Sequence, residues 1–200
     1  REAQVEVLND TPYGSLTLPA GITVEFNDVP ITTFAEEFIH GLAAAGISYG
    51  CGQGNFCPSD GITRAVMAVW LLRARYGADY NPPPAVGIFN DVPPESFAAD
   101  WIEDLAGRGI VSGCGGGNYC PDFVVNRQQM AVFLLRTLEG ASYTPPACTG
   151  VFGDVPCPST YADYIEDLAA RGITVGCGGG NYCPLDPNTR TQMAVFTLRT

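Results

Sequence analysis

The sequence repeats itself three times with a period of 63 residues. The string GCGGGNYCP occupies 113–121 and again 176–184, and a looser copy, GCGQGNFCP, occupies 50–58. The same interval separates the members of three further sets: Phe26, Phe89 and Phe152; Arg64, Arg127 and Arg190; Met67, Met130 and Met193. Repeats of this size form one supersecondary unit each, and such units bury their apolar faces only against one another. The chain is therefore expected to fold as three similar units packed together.

Each unit is predicted to contain two short helices joined by the glycine- and cysteine-rich loop. In the second unit, apolar residues at helical spacing precede Gly109, which is expected to end the helix in a left-handed conformation. These apolar residues are Phe97, Trp101, Ile102 and Leu105, and the acids expected on the solvent side are Asp100, Glu103 and Asp104. After the loop, two pairs fit the capping boxes that open second helices: Asn126 with Gln129, and Thr189 with Gln192. The predicted fold class is mainly α, with three 63-residue helix–loop–helix repeats.

The predicted boundaries follow the repeats. Residues 26–77, 78–140 and 141–200 form the three units, and Pro-rich links such as GADYNPPPAVG are expected to be stiff connectors. Residues 1–25 differ, because alternating apolar residues there indicate short β-strands. This segment is expected to be either the end of an upstream β domain or a strand that pairs with a neighbouring subunit.

Eight cysteines form three C-x5-C pairs and one further pair. Since equivalent positions in a repeat should pair equivalently, four disulfides are expected: Cys51–Cys57, Cys114–Cys120, Cys177–Cys183 and Cys148–Cys157. Zinc binding by the thiolates is the alternative, although no histidine cluster accompanies them and His40 is the single histidine. We predict disulfides and no metal site, and disulfides indicate an oxidising, extracellular location.

Charge and motif content argue against several classes of function. The chain carries 21 acidic and 10 basic residues, which disfavours nucleic acid and anionic membrane surfaces as partners. No apolar run approaches the roughly 20 residues that a membrane-spanning helix needs. No nucleophile with a base and an orienting group is apparent, so neither catalysis nor a cofactor is predicted.

Three arginines are predicted to open the second helices: Arg64, Arg127 and Arg190. A cation there faces the positive end of the helix dipole, at a cost of about 0.3–1 kcal/mol where it is exposed, so a negative group is expected nearby. One candidate is an acid of the protein itself, either a helix acid of a neighbouring unit or the aspartate of each F-x-D-V-P motif: Asp28, Asp91 and Asp154. The other is an anionic ligand held by the arginine, the helix N-terminus and the loop amides. The residues alone favour neither.

The order FNDVP, SFAADWIEDLAGRGIVSGCGGGNYCPD and VNRQQMAVFLL resembles the S-layer homology domain. The family pattern is F-x-D-V-P, a first helix, G-I-x-x-G-x-x-x-G-x-F-x-P, and T-R-A-E opening a second helix. The resemblance covers roughly residues 26–200 and implies a pseudo-threefold bundle that attaches to cell walls by binding a polysaccharide with pyruvate ketals. It further implies grooves between repeats, lined by Arg64, Arg127 and Arg190 and by the loop-opening residues Gly50, Gly113 and Gly176.

Two functions follow as alternatives. The first is a non-catalytic cell-surface anchoring module that binds an anionic cell-wall polysaccharide, and the second is a subunit of an extracellular filament or surface layer that binds copies of itself. Anchoring predicts open grooves with free arginines, whereas assembly predicts paired arginines and a large apolar contact face. Three loop asparagines are expected either to contact sugar hydroxyls or to form turns: Asn55, Asn118 and Asn181.

Overall fold

The computed structural model describes residues 25–200, and these form a bundle of six helices. The helices are α1 Glu36–Ala44, α2 Arg64–Tyr76, α3 Ala99–Gly107, α4 Arg127–Glu139, α5 Ala162–Ala170 and α6 Arg190–Arg199. Each repeat contributes one short first helix and one longer second helix, which confirms the predicted mainly-α repeats. The β segment expected over residues 1–25 lies outside the described residues, Glu25 apart.

The three repeats pack in a ring. Helix α3 packs on α2 and α5 packs on α4, so each of these first helices contacts the second helix of the repeat before it. Helix α1 packs on α6 in the same way, which joins the third repeat to the first. The second helices meet at the centre, where α2 contacts both α4 and α6. This arrangement is the pseudo-threefold bundle that the resemblance implied.

A triangle of backbone hydrogen bonds marks the pseudo-threefold axis. The N–H of Ile62 donates to the carbonyl of Asn188, that of Asn188 to Val125, and that of Val125 to Ile62, at 2.9, 2.9 and 3.0 Å. These three residues occupy equivalent positions just before the second helices, and all three are fully buried. The side-chain amide of Asn188 has no hydrogen-bond partner within residues 25–200. The axis therefore carries two apolar side chains and one unpaired polar side chain.

The predicted helix ends are confirmed. Asn126 and Gln129 form the capping box of α4, Thr189 and Gln192 form that of α6, and Gly109 follows α3 with a φ of 71°. Phe97 was predicted to lie in the buried stripe of its helix, and this prediction is wrong: α3 begins after Ala98, and the Phe97 side chain is exposed. None of the helices in the described part of the chain has both the length and the apolarity to cross a bilayer.

The acids of the first helices hold the Pro-rich connectors, so their predicted place on the solvent side is wrong. The Glu103 carboxylate accepts three backbone N–H bonds from residues 86–88, at 2.7–2.8 Å. Glu166 accepts the equivalent bonds from residues 149–151, at 2.6–2.9 Å. Asp100 and Asp163 each accept one further connector N–H. Carboxylates spaced along one helix face thus fix an extended segment that lacks internal hydrogen bonds.

These contacts predict acid-sensitive stability. Burial alone would raise the pKa of Glu103 and Glu166, but the backbone N–H donors outweigh it and lower both pKa values. A lowered folded-state pKa adds stability that is complete above the unfolded value of about 4.3 and is lost as the pH falls through the folded value. We therefore expect the free energy of unfolding to be flat near neutral pH and to fall below about pH 4.

Urea unfolding of Glu166→Gln between pH 3 and pH 7 tests this prediction. The variant keeps the side-chain shape but loses the charge, so it should be less stable than the parent at pH 7 and converge with it in acid. Glu95→Gln is the matched control, because Glu95 is exposed. If the difference in free energy of unfolding between Glu166→Gln and the parent were as large at pH 3 as at pH 7, the stabilising role of the ionised Glu166 carboxylate would be contradicted.

Candidate functional site

Each of the three repeated arginines begins a second helix and reaches into the loop of the next repeat. The Nε–H group of Arg64 donates to the carbonyl of Tyr119 at 2.8 Å, although the two residues belong to different repeats. Arg127 makes the same bond to Tyr182, and Arg190 closes the ring by bonding to Phe56. All three arginines are buried, at 5–6% exposure. The predicted position at the helix start is therefore confirmed, and each arginine joins two repeats.

The guanidinium groups lie on aromatic rings. Arg64, Arg127 and Arg190 sit 4.5, 4.6 and 4.9 Å from the ring centroids of Tyr119, Tyr182 and Phe56. Contacts of this kind stabilise a desolvated cation by about 2 kcal/mol or more. Burial raises the pKa of Tyr119 to about 12, so the ring stays neutral beside the cation. These rings, predicted to be core residues, are fully buried.

The aspartates of the F-x-D-V-P motifs do not form ion pairs with the arginines. Within residues 25–200, no carboxylate oxygen lies within 4.0 Å of the nitrogens of Arg64, Arg127 or Arg190. Instead, each aspartate accepts two backbone N–H bonds from the loop of its own repeat: Asp28 from Phe56 and Cys57, Asp91 from Tyr119 and Cys120, and Asp154 from Tyr182 and Cys183, all at 2.7 Å. Burial opposes the ionised form of Asp154, but these donors lower its pKa. The aspartates therefore fix the loops that receive the arginines.

Two grooves bring the predicted arginines and glycines together across repeat boundaries. The Arg190 groove, a cavity of about 630 Å³, is lined by residues that include Arg190, Tyr49, Gly50, Trp70, Arg73 and Trp101. The Arg64 groove, of about 230 Å³, is lined by residues that include Arg64, Ser112, Gly113, Arg136, Tyr161 and Tyr164. The Arg190 groove is the larger and presents both indole rings of the chain. Arg127 and Gly176 occupy the equivalent positions at the remaining repeat boundary.

The loop glycines leave no room for a side chain. A Cβ atom on Gly50, Gly113 or Gly176 would lie 2.2–2.3 Å from the carbonyl oxygen of the loop asparagine. Asn55, Asn118 and Asn181 accept, through that carbonyl, the N–H of Cys51, Cys114 and Cys177 at 2.8 Å. The asparagines thus close the loop turns through their backbone, and the residues lining the two grooves do not include them. A contact between their side chains and sugar stays a prediction.

The four predicted disulfides are confirmed. Cys51–Cys57, Cys114–Cys120 and Cys177–Cys183 each close a loop, and Cys148–Cys157 ties the third connector to the segment before α5. All eight sulfur atoms are used in these bonds, so the thiolates that a zinc site would need are not available. The disulfides clamp the backbone whose carbonyls hold the arginines.

Sequence reasoning missed a second set of three arginines, two of which line the grooves. Arg73, Arg136 and Arg199 recur at the 63-residue interval, a signal that could have revealed them. Each lies over an aromatic ring of a first helix from another repeat: Trp101 at 5.1 Å, Tyr164 at 5.6 Å and Phe38 at 5.4 Å. Arg73 also lies 5.2 Å from the ring of Tyr49. The Arg190 groove therefore presents two guanidinium groups among aromatic faces.

Comparison with known proteins accounts for this architecture. The sequence model of the S-layer homology domain matches residues 25–68, 88–131 and 152–194, one match in each repeat. The chain belongs to the S-layer homology domain family. S-layer homology domains are non-catalytic modules that anchor surface proteins to the cell wall, and they bind cell-wall polysaccharide. The family predicted from the repeated motifs is thereby confirmed.

Relatives of the chain include a surface-layer protein and several enzymes. The Surface-layer 125 kDa protein of Lysinibacillus sphaericus is 27% identical over 93% of this chain and 16% of its own length. The amylopullulanase of Thermoanaerobacterium thermosulfurigenes is 36% identical over 56% of this chain and 6% of its own. The exoglucanase XynX of Acetivibrio thermocellus is 35% identical over 56% of this chain and 10% of its own length. The chain thus spans a sixth or less of these relatives.

Proposed function

We propose that this S-layer homology chain is a non-catalytic, extracellular anchoring module that binds an anionic cell-wall polysaccharide in the grooves between its repeats. One observation carries the proposal: a buried arginine without a carboxylate partner in residues 25–200 lines an open groove beside two indole rings. An anchoring module was expected to have free arginines, whereas an assembly subunit was expected to have paired ones.

The chemistry of the Arg190 groove suits an acidic sugar. A guanidinium binds a carboxylate through two parallel hydrogen bonds, and the desolvated setting strengthens each of them. The rings of Tyr49 and Trp101 offer apolar faces with polar edges, which match a sugar ring that has both kinds of surface. A pyruvate ketal, the acidic substituent that the family resemblance implies, supplies such a carboxylate.

Binding to a purified, pyruvylated cell-wall polysaccharide tests the proposal. Arg190→Gln should weaken binding in the Arg190 groove at least tenfold, since a lost charge-assisted hydrogen bond costs about 1.5–3 kcal/mol. Arg75→Gln is the matched control: it removes the same charge from an exposed residue at the far end of α2. Polysaccharide from which mild acid has removed the ketals should bind neither the parent nor the two variants.

The second candidate is a subunit of an extracellular surface layer. The alignment with a surface-layer protein over 93% of the chain favours it. Exposed apolar side chains at the loop end of the axis, including Phe123, Val124 and Leu185, offer a contact face. If the parent and Arg190→Gln bind with the same affinity and the same number of sites, the anchoring proposal is overturned, and ordered filaments or sheets in electron micrographs of the same sample would then favour assembly.

A further inference from the structure

The three arginine sites differ by one hydrogen bond. Arg64 donates a second bond, from Nη2 to the carbonyl of Ser112 at 2.8 Å, which adds to its bond with Tyr119. The Nη2 atoms of Arg127 and Arg190 are buried and have no partner anywhere in the described ranges. One guanidinium is therefore capped by the protein itself, and the other two retain a buried donor that is unused.

The difference follows the orientation of one peptide group, the one that precedes the loop-opening glycine. Gly50 and Gly176 have positive φ values of 89° and 86°, whereas Gly113 lies outside the positive-φ region. The backbone N–H of Gly50 donates to the Ser48 hydroxyl at 3.2 Å, and that of Gly176 donates to the Thr174 hydroxyl at 3.3 Å. In the second repeat, the Ser112 carbonyl instead faces Arg64.

A single sequence difference explains the two orientations. The position two residues before the glycine is Ser48 in the first repeat and Thr174 in the third, but Val111 in the second. All three side chains are buried, at 2–4% exposure, and valine has no hydroxyl that could accept the glycine N–H. Without an acceptor for the glycine N–H, the peptide group between Ser112 and Gly113 adopts the other orientation. Its carbonyl then accepts a hydrogen bond from the nearby guanidinium, a strong donor.

We propose that the hydroxyls of Ser48 and Thr174 are positioning groups that keep Arg190 and Arg127 open to an anionic ligand, and that Val111 leaves the Arg64 site closed by the protein's own carbonyl. This inference rests on the proposed function, in which the arginines receive the ligand. A ligand carboxylate at Arg190 meets an unused donor, whereas at Arg64 it must displace a hydrogen bond already made. The three arginine sites are therefore unequal although their motifs repeat.

Reciprocal substitutions test the inference by isothermal titration calorimetry with a pyruvylated wall-polysaccharide fragment. Val111→Thr adds the missing hydroxyl and should increase the number of binding sites by one. Ser48→Val copies the second repeat and should weaken binding in the Arg190 groove at least tenfold or remove one site. Ser48→Thr, which copies the third repeat and matches valine in size, should bind as the parent does. An unchanged number of sites in Val111→Thr, together with equal losses in Ser48→Val and Ser48→Thr, would overturn the inference.

Crystal structures of Val111→Thr and Ser48→Val separate this inference from the proposed function. The first should show Gly113 at positive φ with its N–H on the introduced hydroxyl, and the second should show the Tyr49 carbonyl turned onto Arg190. If the parent protein binds no polysaccharide, the proposed function fails, and these two structures still decide whether the hydroxyl sets the peptide. Unchanged peptide orientations in both variants would overturn it.

Discussion

Replacing Gly176 with alanine is expected to lower the free energy of unfolding by about 4 kcal/mol or more, the range reached when a substitution forces the backbone to move. An added Cβ would lie 2.3 Å from the carbonyl oxygen of Asn181, which is bonded to the Cys177 N–H and cannot retreat without opening the loop. The same loop supplies the Tyr182 carbonyl that holds Arg127. The damage should therefore reach the contact between the second and third repeats.

Gly178→Ala separates steric conflict from backbone strain. Gly178 has a φ of 107°, and a Cβ there would meet no atom within 4 Å. The free energy of unfolding of this variant should fall only by the cost of placing a side chain at positive φ, about 1–2 kcal/mol. Guanidinium unfolding of the two variants with intact disulfides measures the difference between them. Equal losses would mean that strain alone sets the cost and that the loop yields to the extra methyl group.

The repeat period predicted the units and their local structure because those features depend on neighbouring residues. Capping boxes such as Asn126 with Gln129 satisfy backbone groups within one turn, so their signature is visible in the sequence. The loop disulfides were predictable for the same reason, since each links cysteines six positions apart in a repeated pattern. Because the local pattern recurs in each repeat, the predictions of helix caps and loop disulfides had few alternatives.

The role of the acidic helix faces could not be predicted from periodicity. A carboxylate that faces water and one that binds a connector occupy the same side of a helix, opposite the core. Glu103 and Glu166 differ from solvent-exposed acids only in the extended segment that lies against them. That segment precedes the helix by about 15 residues, and no pattern in the sequence states that the chain folds back onto this face.

The unfavourable position of the arginines at the positive end of the helix dipole was predicted, but the groups that stabilise them there were not. Sequence reasoning expected a negative partner, and the structure instead supplies a carbonyl and an aromatic ring from the next repeat. Arg190 contacts Phe56, a residue 134 positions earlier in the chain. The contact exists only because the third repeat closes onto the first. Similarly, the turned peptide at Gly113 depends on a single buried hydroxyl, which the repeated motif does not reveal.

Replacing Asn188 with valine is expected to stabilise the protein by about 1–3 kcal/mol, the desolvation cost of an unpaired buried amide. Asn188 is fully buried on the pseudo-threefold axis beside Ile62 and Val125, and within residues 25–200 neither atom of its amide has a partner. Its backbone bonds to these two residues do not involve the side chain, so the substitution preserves them. At about 2–4 °C per kcal/mol for a chain of this size, the melting temperature should rise by several degrees.

Two further variants identify the source of this gain. Asn188→Ala removes the amide but leaves a void, so it should gain less than Asn188→Val, because a cavity offsets part of the benefit. Ile62→Asn places a second amide on the axis and should destabilise the protein by an amount that exceeds the gain, because buried apolar volume is lost as well. A fall in melting temperature for Asn188→Val would show that the amide is satisfied in solution. The axis would then require a polar group, and the valine and isoleucine of the other repeats would be the exceptions.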